Sequence, residues 1–203
     1  MTKPTKPIVI IGAAALVIIA ALAWWLLATS GEEVHIGKTI HLLKESIVPM
    51  RLKVIARSDG SAQVAVKFFD VDGKAVGRCE QQYAGGVITL KLLDVAIGDR
   101  HIFFPHEMTQ PSKTDTLRLR LQKFYEKDGF PMVYDSQVIA PALKDEIQHL
   151  YGHILAGDTA RLHKLYGTIR QIDITLSEPM ERVNYSLTVK ASGEVGFKGG
   201  EIF

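Results

Sequence analysis

Residues 8–28 read IVIIGAAALVIIAALAWWLLA, an unbroken apolar stretch of 21 residues without one charged side chain. As a helix rising about 1.5 Å per residue, a stretch of that length matches a hydrocarbon core roughly 30 Å thick. Eleven of its residues are Ile, Leu or Val. At about 0.3 to 0.6 kcal/mol each near the bilayer centre, they favour insertion by on the order of 3 to 6 kcal/mol. The sequence therefore predicts one transmembrane helix over residues 8–28.

The flanks orient it. Lys3 and Lys6 precede the segment and Glu32 and Glu33 follow it, and basic residues are retained on the cytoplasmic side. Residues 1–7 are expected inside, in a single-pass inner-membrane protein whose C-terminal domain is periplasmic or extracellular. Trp24 and Trp25 stand near the outer end, where an indole keeps its ring among acyl chains and its N–H among headgroups. Ala28, Thr29 and Ser30 would suit a signal-peptide cleavage site, but the apolar run exceeds the roughly 7 to 15 residues of such signals. It reads as an anchor, with the lipid bilayer as the partner of residues 8–28. Gly12 is its only glycine, so no pair of glycines marks a helix-pairing face.

Of the 24 basic residues only Lys3 and Lys6 lie before Thr29, leaving 22 to face 22 acidic ones. That balance removes bulk basicity as an argument for nucleic acid. The lone cysteine, Cys79, has no intrachain partner. Alternation in its segment places it with Ala75, Gly77 and Tyr83 on an inward side.

Residues 29–50 are taken as a juxtamembrane segment. From Arg51 the apolar residues recur every second position: Leu52, Val54 and Ala56; Val64, Val66 and Phe68; Ile88, Leu90 and Leu92; Leu117, Leu119 and Leu121. Between these runs lie turn sequences: Ser58-Asp59-Gly60, Asp70 to Gly73, Gly85-Gly86, Gly98-Asp99 and Lys127-Asp128-Gly129. Residues 51–140 thus predict an antiparallel, β-sandwich-like region of about six or seven strands, the last covering Met132 to Ile139.

Residues 141–203 change period. Leu143, Ile147, Leu150, Tyr151, Ile154 and Leu155 recur at helical spacing behind Pro141, with Gly157 as a stop and Asp158 as the cap of a second helix through Tyr166. Two further alternating runs, Ile172 to Leu176 and Val183 to Val189, are joined at Glu178-Pro179 and read as a terminal β-hairpin, with a Gly-rich tail after Ser192. The expected fold is a transmembrane helix followed by a mainly-β α+β domain.

No catalytic motif is found. There is no Gly-x-Ser-x-Gly serine, and Gly37-Lys38-Thr39 lacks the glycine that a phosphate loop needs where Glu32 stands. Asp70 and Asp72 lack the remaining ligands of a calcium loop. His149 and His153 are four apart on the predicted helix, a spacing that brings two imidazoles to one transition metal, with His163 and Glu146 available to complete the set. Ordinary surface histidines have the same pattern, and Leu150 replaces the Glu of a metalloprotease. Two apolar clusters, His101 to Pro105 and Phe130-Pro131, either line a groove or pack the core.

The outward positions of the strands are often basic: Arg51, Lys53, Arg57, Lys67, Lys91, Arg118 and Arg120. On one face they would meet an acidic partner or anionic headgroups, at about 1 kcal/mol per charge near an anionic leaflet. Otherwise they form a solvated surface. The functional expectation is a non-catalytic binding or assembly module that meets other envelope proteins. The alternatives are a ligand or metal carrier and, behind it, a hydrolase.

Overall fold

The computed structural model describes residues 39–58, 60–84, 86–110 and 117–202, together with Ile19 and Trp24. Apart from those two positions, the expected membrane helix lies outside the described residues; among them no helix is long and apolar enough to cross a membrane. In chain order the strands are β1 (Ser46–Ser58), β2 (Ser61–Phe69), β3 (Ala75–Ala84), β4 (Val87–Ile97), β5 (Arg100–Gln110), β6 (Leu117–Arg120), and the short β7 (Glu126–Lys127) and β8 (Phe130–Pro131). Helices α1 (Pro141–Ala156) and α2 (Thr159–Tyr166) follow, then β9 (Thr168–Ser177), β10 (Val183–Lys190) and β11 (Val195–Ile202).

These strands make a mainly antiparallel, sandwich-like arrangement. One sheet runs β11-β10-β1-β2-β3 and the other β6-β5-β4-β9, with β7 and β8 as a separate small ribbon. Period-two patterning supplies the buried rows. Tyr185, Leu52, Val66 and Cys79 lie side by side across four strands of the first sheet, as do Leu187, Met50 and Phe68 across three. All are buried. The second sheet contributes Ile88, Leu90 and Leu92, each at most 1% exposed.

The helices follow their local code. Pro141 fills the first turn of α1 with no N–H to satisfy, Gly157 takes a left-handed φ of 68° at its end, and the Asp158 carboxylate accepts from Arg161 N to cap α2. They lie on the outer face of the four-stranded sheet, where the Tyr151 ring stands 5.4 Å from Phe104 and α2 packs on β4 and β9.

Beyond its short pairing with β6, the free edge of β5 is closed by other groups. Tyr134 Oη accepts from Phe103 N and donates to Phe103 O, at 2.8 and 2.9 Å. Tyr125 Oη donates to Pro105 O at 2.7 Å, and His101 N donates at 2.8 Å to the O of Ala191, in the turn after β10. Burial pushes both phenols well above their ordinary range, so they remain donors. An edge sealed this way offers no template for a stray strand.

Four expectations are corrected. Strand β1 begins at Ser46, inside the segment taken as juxtamembrane, because a register irregularity between Ile47 and Met50 accommodates Pro49. The expected strand from Met132 to Ile139 is a 3-10 turn over Met132–Tyr134 and then irregular chain, since Tyr134 must turn inward to reach Phe103. β9 and β10 do not form a hairpin: β9 pairs with β4 and β10 with β1. Between them Glu178 and Arg182 take positive φ values of 50° and 64°, and Glu178 N donates to Gly86 O at the corner where the chain changes sheet. The terminal hairpin is instead β10 with β11, so the Gly-rich tail is a strand. Gly199 is required there, since a Cβ would lie 2.8 Å from the Tyr185 ring.

Candidate binding face

The outer face of the five-stranded sheet sets basic residues side by side. Directly across the strands stand Lys198, Ser186, Arg51, Lys67 and Arg78. Four of these five positions are cationic, and all four cations are exposed. Neighbouring strands lie about 4.8 Å apart, so Arg51, Lys67 and Arg78 are immediate like-charged neighbours. The Arg51 guanidinium lies over the Phe69 ring, 4.8 Å from its centroid. Among the described residues none of Arg51, Lys67, Arg78 and Lys198 has a carboxylate within 4.0 Å. In the adjacent row Asn184, Lys53, Ala65 and Glu80 stand side by side, and there Glu80 is the acid.

The other basic residues go elsewhere. The register slips between Val54 and Ala56, so Ala56 pairs with the outward Gln63 and Arg57 with the buried Ala62. One extra residue inverts the faces beyond it. Arg57 therefore leaves the basic face for the rim, where Nη1 donates to Pro179 O at 3.3 Å.

Lys91, Arg118 and Arg120 belong to the four-stranded sheet. Across it run Asp173, Lys91, Glu107 and Arg120, alternating in sign, with Lys91 Nζ 3.6 Å from Glu107 Oε2. The neighbouring row, Thr175, Thr89, Thr109 and Arg118, is almost neutral. Of the seven basic residues singled out from the sequence, Arg51, Lys53 and Lys67 share the outer face of the five-stranded sheet, and Arg78 and Lys198 complete it. Arg78 was legible from alternation next to Cys79, whereas Lys198 was hidden in a glycine-rich segment without a strand pattern.

A second cluster was not foreseen. Asp94, wholly buried, accepts from Arg170 Nε at 2.5 Å and lies 2.7 Å from His101 Nδ1. The signal for it was an acid at an inward position of an apolar strand. Held imidazoles of this kind serve acid–base catalysis when the other ring nitrogen meets a nucleophile. Here the Nε2 edge abuts Gly193, where a Cβ would come within 2.8 Å, and among the described residues no hydroxyl or thiol hydrogen-bonds it. Beside it Ile47, Phe103, Tyr134 and Val189 help line a cavity of about 20 Å³, room for about one water. The cluster ties β4, β5 and β9 together.

The apolar segments are core: Ile102, Phe103, Phe104 and Phe130 are buried. His149 is exposed on α1, and the partly buried His153 ring lies 6.3 Å from Tyr166. His163 Nδ1 lies 3.1 Å from Gly167 O. Glu146, the suggested fourth ligand, accepts from both the amide and the hydroxyl of Thr39. Among the described residues no three His, Cys, Asp or Glu side chains are grouped to hold a metal ion. Asp70 Oδ1 accepts from Asp72 N and Lys74 N, the bonding of a hairpin turn. Asp72 Oδ2 accepts from Gln137 N and Ser136 Oγ, and these bonds hold its carboxyl below the usual range.

No protein-family model matches the chain, and neither the characterised proteins nor the solved structures contain a match to it.

Proposed function

We propose that the chain is a membrane-anchored extracytoplasmic binding or assembly module, a non-catalytic subunit of an envelope complex. In this reading residues 8–28 are the transmembrane anchor and the outer face of the five-stranded sheet is the docking surface. The observation that carries it is the row of Arg51, Lys67, Arg78 and Lys198, in which no cation has a carboxylate within 4.0 Å among the described residues. Like charges directly opposite one another weaken a sheet. A row of this kind costs the isolated domain stability that an anionic partner restores.

The test is amine acetylation of the full chain, followed by mass spectrometry, in native membranes and after detergent purification. Lys67 and Lys198 are expected to be protected in native membranes and to become reactive on purification, while Lys91 on the other sheet reacts alike in both. Equal reactivity of all three in both states would overturn the reading.

A further inference from the structure

We infer that the occupant of this basic face is the anionic phospholipid surface of the membrane that holds the anchor, so that the domain lies with its five-stranded sheet against the bilayer. The inference rests on the anchor assigned above to residues 8–28. It adds what the face touches.

The first argument is reach. Ten residues, 29–38, separate the apolar run from Thr39, where the described domain begins. Even fully extended they span at most about 36 Å, less than roughly twice the radius of a domain this size. A domain tethered this closely stays in the neighbourhood of the bilayer that holds the anchor.

The second argument is the layout of charge. Arg51, Lys67 and Arg78 stand on successive strands, about 4.8 Å apart, in a row that does not converge on a point. A small multivalent anion calls for converging donors. A fluid plane of monovalent headgroups can rearrange until each cation has its own phosphate. Arg51, stacked on Phe69, holds its guanidinium in place for such a contact.

The third argument is contrast. Beyond Thr29 the chain carries as many acidic as basic residues, so an anionic plane does not attract it as a whole. The outer row of the four-stranded sheet alternates in sign. Of the two sheet faces, only the five-stranded one carries a row of a single sign, and an attraction stronger on one face orients the domain.

The experiment reconstitutes the full chain in lipid nanodiscs of pure phosphatidylcholine or of phosphatidylcholine with phosphatidylglycerol, and acetylates it as above. Reactivity of Lys67 and Lys198, relative to Lys91, is expected to fall about fivefold or more in the anionic discs. It should recover in about 1 M salt, where the screening length is about 3 Å. In the variant Arg51→Gln/Lys67→Gln/Arg78→Gln, Lys198 should lose its dependence on lipid charge. Should that variant fail to fold, the single change Lys67→Glu, read at Lys198, serves the same purpose.

Equal reactivity in the two kinds of disc would overturn the inference. If the lysines are then still protected in native membranes, the occupant is an acidic protein and the binding-module reading stands. Release of the chain from membranes by alkaline carbonate would instead remove the anchor on which both rest.

Discussion

The two outer faces of the sandwich treat charge in opposite ways. On the four-stranded sheet Asp173, Lys91, Glu107 and Arg120 alternate, so each ion has an opposite neighbour within the fold, and α2 packs on β4 and β9. On the five-stranded sheet Arg51, Lys67 and Arg78 stand together uncovered. The first pattern is what cross-strand pairing favours for its own sake; the second weakens the sheet by some tenths of a kcal/mol per contact. The difference separates a face whose charges alternate in sign from one whose row carries a single sign.

The largest expected effect comes from breaking the internal compensation of the four-stranded sheet at its deepest point. Asp94→Ala removes a wholly buried acid and strands Arg170, itself 54% exposed, and His101, 19% exposed. The expected loss is about 3 kcal/mol, the low end for breaking a buried pair because both partners still reach water. Urea denaturation measures it, and a change below about 0.5 kcal/mol would show that the cluster does not hold the sheet.

Beneath the positive row, burial pushes the Cys79 thiol up to about 11, with Lys123 opposing the rise only in part. At pH 8 the folded protein should therefore react with iodoacetamide about a hundredfold more slowly than an ordinary thiol. The sign for stability follows: the neutral thiol is favoured in the folded state, so stability present below about pH 9 is lost as pH rises toward 11. Fast alkylation at neutral pH would mean that the row's field reaches through the sheet.

Making the compensated face resemble the other one is the next test. Glu107→Lys sets like charges beside Lys91 and Arg120 and should cost about 1 kcal/mol in the urea midpoint. An unchanged midpoint would mean that alternation contributes nothing there.

The smallest effect runs the other way. Lys67→Glu turns Arg51, Lys67 and Arg78 into an alternating row and should stabilise the domain by about 0.5 kcal/mol. A simultaneous loss of protection at Lys198 in native membranes would separate the function of the face from its stability. Destabilisation by this change would contradict the cost assigned to the row.

Much of the architecture was legible. Val64, Val66 and Phe68, or Ile88, Leu90 and Leu92, declare a buried face because a strand alternates sides at every residue. Pro141, Gly157 and Asp158 mark helix boundaries through groups that act within one turn. What escaped depends on distant chain. Arg57 looks outward by parity, and a single bulged residue before it removes it from the face. β9 and β10 are adjacent in sequence yet lie in different sheets, because each finds its partner strand about 80 residues or more away.

The sequence alone determined which residues alternate, where the helices begin and end, and that the chain beyond residue 28 has no net charge. Those are local or additive properties. Tertiary structure decided which charges became neighbours. Arg51, Lys67, Arg78 and Lys198 come from four strands, and their side-by-side placement is set by cross-strand register, which no window of sequence contains. The same non-local pairing set Asp94 between His101 and Arg170, an acid that alternation alone would have left alone in an apolar core.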